Sequence, residues 1–207
     1  MKKALTFGLV VLFVLVTTVA FAHVAGQKIC IDPGHGGSDP GAVGQGLYED
    51  TVNLQICNKL YTKLVNDGAS VKRTRSTDVY VSLQGRCDIS NNFGANRFVS
   101  SHCNAFDGSA HGTETYCYSG GSANSFDLRN KVNPEIVSHM GTTNRGVKTA
   151  SFYVLVNTSA PAILGEVAFI DNAGDAAKLG SDTYRDYAAR AYMHGIQSHY
   201  GETPHGT

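Results

Sequence analysis

Between Gln27 and Tyr200, short β-branched or aromatic runs alternate with stretches whose apolar residues recur at helical spacing, and few folds accept that alternation. Lys28 to Ile31 predicts a short strand, and Val52, Ile56, Leu60 and Leu64 mark one face of a helix over Asp50–Asn66, stopped by Asn66-Asp67-Gly68. Ala69 to Thr74 predicts a second strand and Leu83 to Phe93 a second helix ending at Gly94. Arg97 to Cys103 and Thr113 to Tyr118 predict further strands. Ser122 to Met140 has helical character interrupted by Pro134, which predicts a break near Asn133, with Asn133 capping a second short helix that opens on Pro134. Tyr153 to Val156 and Ala162 to Val167 read as strands, and Tyr184, Ala188, Ala191, Gly195 and Ile196 line a closing helix. The expected architecture is α/β, a single domain with a mostly parallel twisted sheet flanked by helices. Residues 27–200 form that domain, and Gly201 to Thr207 read as a loose tail.

The first 22 of the 207 residues differ from the rest. Lys2 and Lys3 precede an uncharged apolar run from Ala4 that ends in Ala20-Phe21-Ala22, the pattern of a secretory signal peptide with its cleavage site, so residues 1–22 are read as a leader. The alternative is a retained anchor, since an uncharged run of about 20 residues suffices to span a bilayer. Either reading places the functional part outside the cytoplasm. Without Lys2 and Lys3 the 17 basic residues become 15 against 17 acidic, too even a balance to attract nucleic acid or anionic lipid. A secreted or wall-associated monomer is expected, with no membrane partner once the signal is removed.

Five cysteines, Cys30, Cys57, Cys87, Cys103 and Cys117, cannot all pair within one chain. No C-x-x-C spacing suggests a zinc knuckle or a redox pair, and small buried hydrophobes are the expected role for most of them.

The run Asp32-Pro33-Gly34-His35-Gly36-Gly37 follows the first strand directly. Its proline and glycines allow a sharp turn and close approach of a ligand to the backbone. In parallel α/β sheets ligands gather at the carboxyl ends of strands. His35, His102 and Glu166 fall at three such ends, and Glu49 begins the first long helix, beside them if its loop folds back. Two imidazoles and one carboxylate, His35, His102 and Glu49, make a catalytic zinc set with one position open to water. Glu166 is then the candidate general base. Each residue has a plainer reading: a loop histidine for His35, a helix-dipole carboxylate for Glu49, and a hydrogen-bonded core histidine for His102. Glu166 lies among apolar residues, where charge is seldom buried without a partner or a function. A Cys103 nucleophile beside His102 is the competing chemistry, but neighbouring strand residues point to opposite faces. Of the other histidines, His111, His139, His194, His199 and His205 carry surface roles by default.

The chain resembles the zinc-dependent N-acetylmuramoyl-L-alanine amidases of the amidase 3 family. The resemblance runs through Ile31-Asp32-Pro33-Gly34-His35-Gly36-Gly37, Asp39-Pro40-Gly41-Ala42, Glu49, Arg73-Thr74-Arg75, Val81-Ser82-Leu83 and Arg86. It continues through Ser101-His102-Cys103-Asn104-Ala105, Gly112-Thr113-Glu114, Arg145-Gly146-Val147-Lys148, Phe152-Tyr153-Val154-Leu155, Pro161 to Glu166, and Asp171-Asn172. It implies one zinc ion held by His35, Glu49 and His102, with Glu166 as the catalytic glutamate. The implied substrate is the peptidoglycan amide between the lactyl group of N-acetylmuramic acid and L-alanine. Ser101, Cys103 and the run Val167-Ala168-Phe169 depart from the family's usual residues and bear on local packing. A zinc carboxypeptidase acting on wall stem peptides and a non-catalytic wall-binding domain are the alternatives, separable by the product released.

Overall fold

The computed structural model describes residues 23–206, so the leader read over residues 1–22 lies outside the described residues. Strand β1 (Lys28–Pro33) delivers the His35 loop, after which a small hairpin, β2 (Val43–Gly44) and β3 (Leu47–Tyr48), turns the chain back into α1 (Glu49–Asn66). Then follow β4 (Ser70–Arg73), α2 (Leu83–Phe93), β5 (Arg97–Asn104), β6 (Thr113–Cys117), α3 (Ala123–Met140), β7 (Asn144–Thr149), α4 (Tyr153–Asn157), β8 (Ala162–Phe169), α5 (Ala173–Leu179) and α6 (Asp182–His199). The six long strands form one sheet in the order β4-β1-β5-β8-β6-β7. The first four are parallel, β6 runs antiparallel to β8, and β7 is parallel to β6. The expected α/β domain with a mostly parallel sheet flanked by helices is what the chain forms.

Strand alternation divides the core. Ile29, Ile31, Val99 and Ile163 face α1, α3 and α6, where they meet Ile56, Leu60, Val132 and Ile196. Cys30, Phe98 and Leu164 face the other way, against Cys87 of α2 and Val154 and Leu155 of α4. All five cysteines are free and buried. Among the described residues no helix is long and apolar enough to cross a membrane.

Two elements contradict the sequence reading, and β2, β3, β7 and α5 lie where it expected none. Helix α3 runs unbroken from Ala123 to Met140 with Pro134 inside it. Leu128, Val132, Ile136 and Met140 are fully buried along one stripe. At roughly 1.5–3 kcal/mol for each such side chain, that burial outweighs the ~3 kcal/mol a mid-helix proline costs. Asn133 is therefore no cap: it is buried, accepts from the Thr115 hydroxyl at 3.1 Å and donates to Asn144 at 2.9 Å, tying α3 to β6 and β7. The strand expected over Tyr153–Val156 is instead a single helical turn, in which the Val156 amide donates to the Phe152 carbonyl. β-Branched propensity yields there to tertiary context, because the turn packs Val154 and Leu155 onto the sheet face that α2 leaves open.

The residues after Tyr200, expected to be a loose tail, make specific contacts. Glu202 accepts from the Val24 amide at 2.6 Å, and the His205 ring meets Asp67 at 3.0 Å.

Candidate active site

The turn after β1 carries strain at the residue the site depends on. His35 has φ 59°, followed by Gly36 and Gly37 at 129° and 61°. A left-handed conformation costs a non-glycine residue about 1–2 kcal/mol, so something must hold it. Arg75 donates to the carbonyls of Pro33 at 3.0 Å and Gly34 at 2.9 Å, and Arg86 donates to those of Pro33 and His35 at 2.7 Å each. Arg86 is anchored in turn by buried Asp32 at 2.7 Å, whose carboxylate also accepts from Thr74 at 2.6 Å and Ser100 at 2.7 Å. Burial works to raise the Asp32 pKa, and Arg86 with the two hydroxyls outweighs it, so the carboxyl stays below its ordinary value. Two arginines thus fix the loop through its carbonyl oxygens.

The hairpin formed by β2 and β3 returns the chain so that Glu49, the first residue of α1, lies under that loop. Its Oε2 accepts from the Ala42 amide at 2.8 Å and lies 3.2 Å from His35 Nε2. Its Oε1 accepts from the Cys103 amide at 3.1 Å and lies 2.9 Å from His102 Nδ1. On the far side of His35, Asp39 meets Nδ1 at 2.8 Å, which leaves Nε2 turned inward. The His35 and His102 rings stand edge to face with centroids 4.9 Å apart. Packing is close: a Cβ at Gly34 would fall 2.3 Å from the His102 ring, so only glycine lets the loop pass.

Parity then selects the fourth residue. His102 and Glu166 are register partners on β5 and β8, Glu114 of β6 is the register partner of Glu166 on the other side, and all three project from one sheet face. Glu114 is neutralised by Arg145 at 2.5 Å and Lys148 at 2.6 Å. Glu166 Oε2, by contrast, is buried without a hydrogen-bond partner. His35, His102 and Glu166 line a cleft of about 250 Å³ whose walls include Tyr80, Leu83, Phe152 and Tyr153.

The charges follow from the geometry. Burial works to lower the His35 pKa, yet its bonds to Glu49 and Asp39 lift it to about 9. His102 is likewise raised by Glu49 against burial. Burial also opposes the Glu49 charge, but His102 and His35 hold its carboxyl well below the usual carboxylate range. Burial pushes Glu166 up to about 7, only partly opposed by His102. The three inward-facing donors, two imidazole nitrogens and a carboxylate all within 4.8 Å of one another, fit a tetrahedral divalent ion with one open position. A cation there would take the place of the imidazole protons.

The structure therefore brings His35, Glu49, His102 and Glu166 together. It puts Cys103 elsewhere: the thiol belongs to the α1 side of the sheet, 3.6 Å from Asn53 Oδ1, and burial pushes its pKa well above the ordinary thiol value. Sequence reasoning singled out neither Asp39 as the partner that orients His35 nor Asp32 as the anchor of Arg86. The four-residue spacing from His35 to Asp39 was the one sign of the first. Among the remaining histidines, His199 departs furthest from a surface role, with its ring buried between Asp127 and Arg97, and His139 and His194 are part-buried against each other.

Known proteins share much of this sequence and its fold. The amidase 3 family, described as N-acetylmuramoyl-L-alanine amidase, matches residues 29–198. The N-acetylmuramoyl-L-alanine amidase LytC of Bacillus subtilis (strain 168) is 45% identical over 181 residues, covering 86% of this chain but only 36% of that protein. The sporulation-specific N-acetylmuramoyl-L-alanine amidase of the same organism is 42% identical over 172 residues, covering 82% of this chain and 67% of that one. Among solved structures, the N-acetylmuramoyl-L-alanine amidase from Clostridium difficile 630 superposes with a TM-score of 0.81 at 34% identity, over 84% of this chain and 96% of that one.

Proposed function

Since the chain belongs to the amidase 3 family of N-acetylmuramoyl-L-alanine amidases, we propose that it is a secreted, zinc-dependent peptidoglycan hydrolase cleaving the amide between the N-acetylmuramic acid lactyl group and L-alanine. One observation carries this reading: the donors of His35, Glu49 and His102 converge beside the cleft that His35 and His102 line together with Glu166, a buried carboxylate with an unpartnered oxygen. A zinc ion held by those donors would supply a Lewis acid for the amide carbonyl and bring the pKa of water toward neutrality.

The chain's own groups perform the rest. Glu166, unpaired and raised toward neutrality, takes a proton from the attacking water and delivers it to the departing alanine nitrogen. Asp39 and the Ala42 and Cys103 amides fix the directions of His35 and Glu49, so that neither must reorganise as the reaction proceeds. Tyr80, Phe152 and Tyr153 are 58%, 39% and 40% exposed at the cleft wall, apolar faces suited to a sugar ring or stem-peptide side chain. The apolar leader read over residues 1–22 supports an extracytoplasmic site of action, where the wall substrate lies.

Digestion of purified peptidoglycan tests the proposal. New amino-terminal alanine should appear, disappear on treatment with a chelator, and return when zinc is restored. Release of a free terminal amino acid instead would establish the carboxypeptidase, and wall binding without any released amine would establish the binding domain. The same assay addresses the thiol: Cys103→Ser is expected to keep turnover within about threefold of the parent, because the side chain faces the core and the swap nearly conserves volume. A loss of a hundredfold or more would return Cys103 to the chemistry.

A further inference from the structure

Glu135 and His139 lie four residues apart on α3 and so share one helix face. His194 of α6 faces them. His139 Nε2 lies 3.2 Å from His194 Nδ1 and 3.5 Å from Glu135 Oε2, and His194 Nδ1 lies 3.8 Å from that same oxygen. Two nitrogens and an oxygen bound tetrahedrally to zinc stand roughly 3.3–3.5 Å from one another, and the 3.2, 3.5 and 3.8 Å separations of these three atoms lie within a few tenths of an ångström of that spacing. We propose that Glu135, His139 and His194 form a second divalent-cation site, on the seam between α3 and α6, suited to a borderline-soft ion such as zinc.

The first site supplies an internal standard. His139 and His194 stand edge to face with centroids 4.9 Å apart and planes at 75°, against 4.9 Å and 78° for His35 and His102. The outward nitrogen of His194, Nε2, lies 3.4 Å from the Gly206 carbonyl, which can accept a hydrogen bond from an Nε2–H; in that tautomer the Nδ1 lone pair points toward the cluster. The helices approach closely enough to share an ion because Gly195 follows His194: a Cβ there would fall 2.6 Å from Val132 Cα. The three side chains are 28%, 19% and 15% exposed, sheltered but within reach of solvent for a fourth ligand. Arg190, one turn before His194, pairs with Asp186 at 3.5 Å and adds positive charge nearby, so this site is the weaker of the two. An ion there ties α3 to α6 and acts on stability, not on turnover.

The test titrates the metal-stripped chain with zinc chloride by calorimetry. The parent should take up two ions. His139→Ala should take up one and keep its far-ultraviolet circular dichroism, and the gentler Glu135→Gln should weaken the second event at least tenfold. His35→Ala should lose the tighter event and retain this one. Two ions still bound by His139→Ala, or one ion bound equally by the parent and by His139→Ala, would overturn the proposal. Failure of the cleft as a zinc site shows differently, as one ion in the parent that His139→Ala loses and His35→Ala keeps.

Discussion

Glu166→Gln is expected to hold zinc as the parent does and to lose turnover by about 10²–10⁴-fold, the range that a positioned general base supplies. The substitution keeps the shape of a buried side chain whose Oε2 has no partner, and it touches none of the three donors, so metal content and folding should be unchanged. The sign of the pH dependence is fixed by the same carboxyl. Burial lifts its pKa to about 7, so the acid is protonated and useless as a base below that value. In the parent, kcat/KM should therefore climb with pH on the acid side toward about 7, and a bound cation would draw the limb lower. The limb should be missing from the residual activity of Glu166→Gln. Zinc content by atomic absorption beside a peptidoglycan amine-release assay decides it, and undiminished turnover in the variant would remove Glu166 from the reaction.

Arg86→Ala is expected to lower stability by about 3–5 kcal/mol, because it strands the Asp32 carboxylate in the interior without its ion-pair partner. For a domain of this size the thermal midpoint should fall by roughly 10 °C. The Asp32 pKa is depressed in the folded chain, so its contribution is present above the ordinary carboxylate pKa and is lost as pH falls through the lower, folded value. The deficit of the variant should accordingly be largest near neutrality and shrink in acid. The loop carbonyls that Arg86 holds should loosen as well, weakening zinc at His35 beyond what the midpoint alone explains. Calorimetric melts from pH 7 down to pH 3, below the ordinary carboxylate value, test the deficit and its pH dependence, and zinc titration of the variant tests the loop. A midpoint within 2 °C of the parent would show that Arg75 and the hydroxyls of Thr74 and Ser100 suffice.

Much of the site is legible in the amino-acid sequence because its residues sit on or beside the strands of one mostly parallel sheet. His35 follows a strand in a glycine-rich turn, while His102 and Glu166 lie inside β5 and β8 rather than at the ends expected of them, and the register of the two parallel strands sets them side by side. Parity likewise separates Cys103 from His102. What escapes lies in interactions that no periodicity encodes. Asp32, Thr74, Arg86 and Ser100 come from four separate segments and meet only when β1, β4, β5 and α2 are assembled. The break expected at Pro134 fails for a related reason: the helix survives on burial of Leu128, Val132, Ile136 and Met140, a tertiary term that exceeds the local cost. The strand expected over Tyr153–Val156 fails in the same way, since β propensity says nothing of the open sheet face that a single turn covers.

By itself, then, the sequence determined the broad alternation of strands and helices and the faces most of them would bury, because those depend on spacings of two and about four along the chain. Only the tertiary structure decided that His35 adopts a left-handed backbone held by two arginines, and that the hairpin before α1 carries Glu49 between two imidazoles. It alone placed Glu166 beside them with a free oxygen. Each of these is a balance of burial against charge and strain, and that balance exists only when distant segments share one low-dielectric space.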